Sequence, residues 1–313
     1  MATGGWRSLP RIAEYHGRRL QQWRRVTLPF FKCARSIALP NLNRAGGGSE
    51  VSLVAICKDE GPYIREWVEF HRNVGFHNIL VYDNGSTDNT LDKLADLATD
   101  GGLTVVPWPH FDRHRNTQTL AYHHAVAYLA DRSKWIALLD IDEFLFPLAP
   151  VKIADALRDY EDVPSLSLPW HNYGSSGHLA PLPGRVTENY LHRAPFPPPR
   201  WKNTLLHYKS LVRPEFVESL SNHFPNLVRQ RAYFYTERKE RVHKANYINP
   251  RYASSDIFRL NHYFSKSQAE FWAKAERGPV SRRSSGWRKI DRYRMIEDET
   301  VFDDVAARKW ATF

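Results

Sequence analysis

Between residues 51 and 139, four short apolar runs alternate with stretches whose apolar residues recur at helical spacing, and few folds accommodate that alternation. The first run, Val51-Ser52-Leu53-Val54-Ala55-Ile56-Cys57, is nearly continuous, as a strand covered on both faces requires. Pro62 can sit in the first turn of a following helix whose Ile64, Trp67, Val68, His71 and Val74 share one face, and Gly75 suits its stop. Asn78 to Tyr82 reads as a second strand and Leu103 to Val106 as a third. A helix carrying Leu91, Leu94, Ala95 and Ala98 lies between them. Thr117 to Ala130 reads as a third helix, and Trp135 to Leu139 as a fourth strand. Alternation of this kind predicts a parallel, right-handed α/β sheet, which binds ligands beyond the carboxyl ends of its strands.

Carboxylates stand at three of those ends: Asp59, Asp83 and Asp140. The last belongs to Leu138-Leu139-Asp140-Ile141-Asp142-Glu143-Phe144-Leu145-Phe146, where three acids interrupt an apolar run. Burying an unpaired carboxylate costs several kcal/mol, so these acids need a partner. Alternate residues of an extended chain share a face, so Asp140 and Asp142 project together as two hard oxygen ligands suited to Mg²⁺ or Mn²⁺. An isolated Asp-X-Asp is as well explained by a solvated turn or by pairing with Arg113 or Arg115. The preceding strand and Asp83 shift the balance toward a site.

Past residue 150 the pattern is weaker. Val151 to Tyr160 reads as a helix, Ser165 to Pro169 and Tyr208 to Val212 as strands, and Trp170–Gly184 and Ala194–Arg200 as loops. Ser267-Gln268-Ala269-Glu270 has capping-box spacing ahead of Phe271, Trp272 and Ala275, with Gly278 just past the end. His123 and His124 are adjacent on a helix and face different ways, which argues against a metal pair. Trp170, Tyr173 and Trp201 suit either sugar stacking or the core, and Gly174-Ser175-Ser176-Gly177 suits a tight turn.

Charge divides the chain. Residues 1–50 carry a net +7, residues 51–150 a net −6 and the remainder +9. A uniformly basic nucleic-acid binder would not place its most regular segment on the acidic side, so nucleic acid is a poor partner. Residues 1–47 interleave Arg18-Arg19, Trp23-Arg24-Arg25 and Phe30-Phe31-Lys32, ahead of the hinge Gly46-Gly47-Gly48-Ser49. They read either as a solvated arm or as a segment on an anionic membrane surface. No run approaches the roughly 18–20 apolar residues of a membrane span. Two cysteines, Cys33 and Cys57, and no clean signal sequence fit a cytoplasmic protein, peripheral to a membrane at most.

The ordered segments Val54-Ala55-Ile56-Cys57-Lys58-Asp59-Glu60, Tyr63-Ile64-Arg65-Glu66-Trp67-Val68-Glu69-Phe70-His71, Val81-Tyr82-Asp83-Asn84-Gly85-Ser86-Thr87-Asp88 and Leu139-Asp140-Ile141-Asp142-Glu143-Phe144 resemble the family 2-like and family 92-like glycosyltransferases. The likeness continues more loosely through Trp170–His178, Lys209–Pro214 and Asn261–Ser267, and does not cover residues 1–47. It implies a GT-A fold, a mostly parallel α/β sheet flanked by helices with an irregular acceptor-side half. Residues 48–280 would form the domain, with 48–150 taking the nucleotide-sugar and 151–280 the acceptor, and 281–313 a basic extension.

The resemblance also implies roles. Asp140 and Asp142 would hold Mn²⁺ or Mg²⁺ on the donor diphosphate, with His262 as a late metal or phosphate ligand. Asp83 would face the nucleoside, and the strand end carrying Ala55, Cys57, Asp59 and Glu60 would frame its pocket. The activity implied is transfer of a sugar from a nucleotide-sugar, a UDP-sugar above others, to a hydroxyl of a glycan or lipid-linked glycan, with inversion. Such transfer needs a base, and Glu143, Glu188 and Asp256 are the candidates. Arg282-Arg283, Arg288-Lys289 and Arg292 read as a solvated basic face or as contacts to a phosphate-bearing acceptor or a membrane. Two other readings stay open: a nucleotidyltransferase, which would bear a Gly-rich basic loop where Lys58-Asp59-Glu60-Gly61-Pro62 stands, and a non-catalytic basic binding module.

Overall fold

Val51, Leu53, Ala55 and Cys57 enter one buried cluster while Val54 and Ile56 enter another, so the first strand has a core on each face. The computed structural model describes residues 49–109, 117–197, 207–220, 225–227, 234–242, 253–277, 286–298 and 302–311. The arm 1–47, Arg113, Arg115, Trp201, Gly278, Arg282 and Arg283 lie outside the described residues, as do the side chains of Arg288, Lys289 and Arg292.

The strands expected to alternate with helices are β1 (Ser49–Cys57), β2 (Asn78–Asp83), β3 (Leu103–Pro107) and β4 (Ser133–Leu138). Between them run α1 (Ile64–Val74), α2 (Thr90–Ala98) and α3 (Thr117–Leu129). All three pairings in the order β3-β2-β1-β4 are parallel. Ile64, Trp67 and Val68 of α1 and Leu94 and Leu97 of α2 cover one face, and Ala121, Tyr122, Ala125 and Val126 of α3 the other. Gly75 ends α1 at φ 112°, a left-handed conformation that favours glycine.

The second half departs more from expectation. Phe144-Leu145-Phe146 lies within a strand, β5 (Glu143–Pro147), and β6 (Ser165–Asn172) runs three residues past Pro169. Two-residue β7 (His192–Arg193) and then β8 (Tyr208–Val212) follow. Next come β9 (Val217–Leu220) and β10 (Pro225–Leu227), then β11 (Phe234–Tyr235), β12 (Arg241–Val242), β13 (Phe258–His262) and β14 (Phe302–Asp303). The helix expected over 151–160 is a single turn, α4 (Ile153–Ala156), and a 3₁₀ turn whose Tyr160 hydroxyl donates to the Glu237 carbonyl at 2.6 Å. The remaining helices are α5 (Val186–Asn189), α6 (Gln268–Arg277) and α7 (Gly286–Glu297).

The main sheet runs β3-β2-β1-β4-β8-β6-β11-β12, with β8 antiparallel to both neighbours. β13 pairs parallel with residues 170–172 of β6 and antiparallel with all of β5. That long-range pairing is why Trp170 to Asn172 form strand rather than loop. The stretch 302–311 packs onto the body: Ala307, Trp310 and Ala311 join the core and β14 pairs with β7. Among the described residues no helix is long and apolar enough to cross a membrane.

Candidate active site

The ends of β1 and β2 are tied into one cradle. Asp59 takes a left-handed backbone (φ 53°), and its Oδ1 accepts the Thr87 N–H at 2.7 Å. The Asp59 N–H donates to Ser86 Oγ, and Asp83 Oδ2 accepts the Gly85 and Ser86 amides at 3.1 and 3.2 Å. Gly61 sits so close to Asn89 that an added Cβ would lie 2.1 Å from its Oδ1, and its N–H donates to Asp88. Asp59 and Asp83 therefore shape the loop Asn84–Asp88 with their carboxylates. Glu60 lies at the rim with an oxygen 3.8 Å from Lys266 Nζ. The side chains of Ala55 and Cys57 are buried in the core with those of α1, and the Cys57 carbonyl accepts the Asn84 N–H at 2.8 Å. Burial pushes the Cys57 thiol up, and the surrounding carboxylates add to that.

The two aspartates of Asp-X-Asp have different surroundings. Asp140 Oδ1 accepts from Gln118 Nε2 at 2.7 Å and from the Tyr122 hydroxyl, and Oδ2 meets Lys209 Nζ at 2.8 Å. Lys209 stands in β8 with its side chain 1% exposed, and its ammonium is also 3.4 Å from Glu143 Oε2. Burial alone would lower the Lys209 pKa, but Asp140 and Glu143 outweigh it and hold the ammonium protonated. Glu143 is fully buried, and its Oε2 accepts the Asp140 N–H at 2.8 Å. Burial, reinforced by Asp140 and Asp142, pushes its carboxyl up against the pull of Lys209. From the other side Trp67 Nε1 donates to the Glu143 carbonyl, and His71 Nε2 accepts the Leu145 N–H. The helix α1 thus fixes the start of β5.

Asp142 instead faces β13 and α6. Its Oδ1 lies 3.8 Å from His262 Nε2, and Oδ2 accepts from the Lys274 ammonium. Burial would raise its pKa, but Lys274 leads the charges that hold it well below the usual carboxylate range. His262 contacts Asn172 Oδ1 through Nδ1 at 3.2 Å and packs 4.1 Å from the Trp170 ring. A proton on Nδ1, donated to Asn172, leaves the Nε2 lone pair toward Asp142.

This pair suits a divalent cation. Two ligand atoms each about 2.1 Å from one ion can stand up to about 4.2 Å apart, and one or two protein ligands plus substrate oxygens are ordinary for such ions. Among the described residues no three His, Cys, Asp or Glu side chains converge as a complete cage.

Of the base candidates, Glu143 adjoins the Asp-X-Asp pair. Glu143 is locked beneath the site. Asp256 pairs with Arg238 and precedes β13, six residues or about 20 Å of extended chain from His262. Glu188 pairs with Arg185 on α5. The histidines of α3 are satisfied in the core: His123 by Thr119 and the Leu220 N–H, His124 by the Tyr82 hydroxyl. Tyr173 is core, packed 4.6 Å from the Tyr263 ring. Lys209, Lys266 and Lys274 escaped the sequence reading; a lysine amid the apolar strand Tyr208–Val212 was the available signal for the first.

A mostly parallel α/β sheet, with carboxylates at three adjacent strand ends and an antiparallel extension, is the GT-A layout. The family model "Glycosyltransferase family 92" matches residues 58–280, and the chain belongs to that family. A family 92 protein of Ricinus communis is 25% identical over 178 residues, covering 54% of this chain and 30% of that protein. One of Oryza sativa subsp. japonica is 26% identical over 195 residues, covering 60% and 31%. The chain thus spans under a third of the length of these relatives. Solved structures with partial likeness include S. aureus TarS 1-349 in complex with UDP (17% identity, TM-score 0.34, 53% of this chain and 47% of that one). Another is the mannosyltransferase PcManGT from Pyrobaculum calidifontis with GDP-Man and Mn²⁺ (20%, TM-score 0.30, 50% and 45%).

Proposed function

We propose that this chain carries a glycosyltransferase domain that moves a sugar from a nucleotide-sugar, a UDP-sugar above others, to a hydroxyl of a glycan or lipid-linked glycan, inverting the anomeric carbon. The observation that carries this reading is the Asp142–His262 pair beside the strand-end cradle, in a chain of family 92. Asp142 is held ionised, and Asn172 orients His262, so both present lone pairs toward one position. Mn²⁺ suits this oxygen and imidazole pair better than Mg²⁺, whose preference is for oxygen alone. A bound divalent cation supplies charge stabilisation to the departing diphosphate. Asp59 and Asp83 rigidify the loop against which a nucleoside would rest. Contact with an anionic membrane through residues 1–47 is part of the same proposal, and vesicle sedimentation of full-length and truncated chains tests it.

The experiment is a screen of nucleotide-sugars for slow hydrolysis in the presence of Mn²⁺, with Asp142→Ala and His262→Ala alongside. Release of UDP from one UDP-sugar, abolished in Asp142→Ala and reduced at least about tenfold in His262→Ala, is the expected result. Release of UMP and sugar 1-phosphate in place of UDP, or hydrolysis undiminished in Asp142→Ala, overturns the reading.

A further inference from the structure

Two lysines converge on the same place from the far side. The segment from β13 to α6 brings His262 and Lys274 to Asp142, and Lys266 to Glu60 within electrostatic reach of Asp142, in a single strand, turn and helix. Lys274 lies on α6, with its ammonium on Asp142 and its side chain 36% exposed, so one flank faces open space. Lys266 stands in the turn with its backbone left-handed at φ 51°, a conformation that a residue with a Cβ rarely adopts. That backbone carries its ammonium over the Tyr63 ring, 3.3 Å from the centroid, and to within 3.8 Å of Glu60. Unfavourable backbone persists where the surroundings over-determine it, and such positions cluster at ligand clamps.

The charges make sense together. The carboxylates of Glu60 and Asp142 and the ammoniums of Lys266 and Lys274 cancel. A divalent cation arriving at Asp142 would leave two positive charges in excess and repel Lys274 from its carboxylate. A diphosphate arriving with the cation restores the balance and offers oxygens to both lysines. Resting on the donor reading of the site, we propose that Lys266 and Lys274 form the clamp for the donor's diphosphate, Lys274 leaving Asp142 as cation and diphosphate bind.

Inorganic pyrophosphate with Mn²⁺ probes the clamp without reference to base or sugar, and uridine probes the site without phosphate. By calorimetry, Lys266→Ala and Lys274→Ala should each weaken pyrophosphate binding about tenfold or more, leave uridine binding unchanged, and keep most of the affinity in Lys274→Arg. By manganese EPR without any phosphate, Lys274→Ala should bind Mn²⁺ more tightly, since a competing cation has gone. A lysine that only steadies Asp142 would lower the melting temperature without separating pyrophosphate from uridine. Wild-type affinity for pyrophosphate in both alanine variants, equal loss of both probes, or no pyrophosphate binding by the wild type overturns the clamp. Should Lys274→Ala fail to fold, Lys274→Gln and Lys266→Met are read in the same way. Lysine-dependent pyrophosphate binding without hydrolysis of any nucleotide-sugar would preserve the clamp and sink the transferase reading instead.

Discussion

Strands β1 and β4 are held by apolar packing on both faces, whereas the next strand along the sheet, β8, carries a charged lysine into the same interior. In the parallel half, covering helices arrive within a few residues of the strands they pack on, and Trp67 and Ile64 bury without leaving polar groups behind. In the mixed half, the interior contains Lys209, Glu143, His171, Asn172, Asn261 and His262, all under 5% exposed. Hydrophobic burial positions most of the first half, with His71 and His124 hydrogen-bonded inside it, and paired charges and hydrogen bonds position much of the second. The difference places the candidate chemistry at the seam, where the carboxylates between β4 and β5 meet the lysines of β8 and α6 and the imidazole of β13.

The sharpest way to break this contrast is at Lys209. Lys209→Met removes the buried counter-ion of Asp140 and Glu143 and should cost about 3–5 kcal/mol, read as a shift of the urea midpoint at constant slope. The double variant Lys209→Met/Glu143→Leu should recover part of that loss, because no buried acid is then left at position 143. A single-variant loss below about 1 kcal/mol would mean that packing, not charge, holds this half as well.

A second test concerns acid. Burial lowers His71 to about 3 and His124 to about 4, and both lie in the parallel half. Their folded values lie below the unfolded value of about 6.5, so the unfolded chain takes up protons first. The stability they contribute is complete above about pH 6.5 and is lost as pH falls toward 4. Each histidine should contribute about 1.4 kcal/mol across the pH unit below 6. In His71→Gln/His124→Gln, urea midpoints between pH 6.5 and 4.5 should fall less steeply. His123 and His171, also lowered by burial, keep part of the slope, and Glu66 and Glu270, raised by burial, work against it. An unchanged slope in the double variant would show that these rings are hydrated in solution.

The same contrast explains what the sequence made legible. The four parallel strands and their helices were readable to within a few residues, because their apolar periodicity is local and their partners lie close in the chain. The strand-end acids were readable for the same reason, since a carboxylate closing an apolar run stands out. The tail of β6 was not, because Trp170 to Asn172 become strand only through β13, some ninety residues later. Nor were the cations: a lysine in a sequence is a surface residue by default, and only the assembled fold shows Lys209 meeting Asp140 from 69 positions away. Glu143 misled in the opposite direction. Its place beside Asp142 suggested a base, yet α1 and Lys209 hold it under the site.

The smallest effect is expected at the start of α6, where a local motif does operate in the mixed half. Ser267 and Glu270 form the anticipated capping box: the Ser267 N–H and Oγ donate to Glu270 Oε2, and the Glu270 N–H reaches back to Ser267 Oγ at 3.3 Å. Two further amides of that turn, on Gln268 and Ala269, donate to the carbonyls of His178 and Leu179, so the helix start does not rest on the serine alone. Ser267→Ala should therefore cost only about 1 kcal/mol. Its value lies in what else it moves, since Lys274 rides two turns along the same helix. A fraying that stops at the first turn predicts lower stability with Mn²⁺ and pyrophosphate affinities intact, measured by urea titration and calorimetry on one preparation. Loss of pyrophosphate affinity alongside stability would instead make the capping box the hinge on which the lysine is held, and would carry local sequence control into the half that otherwise lacks it.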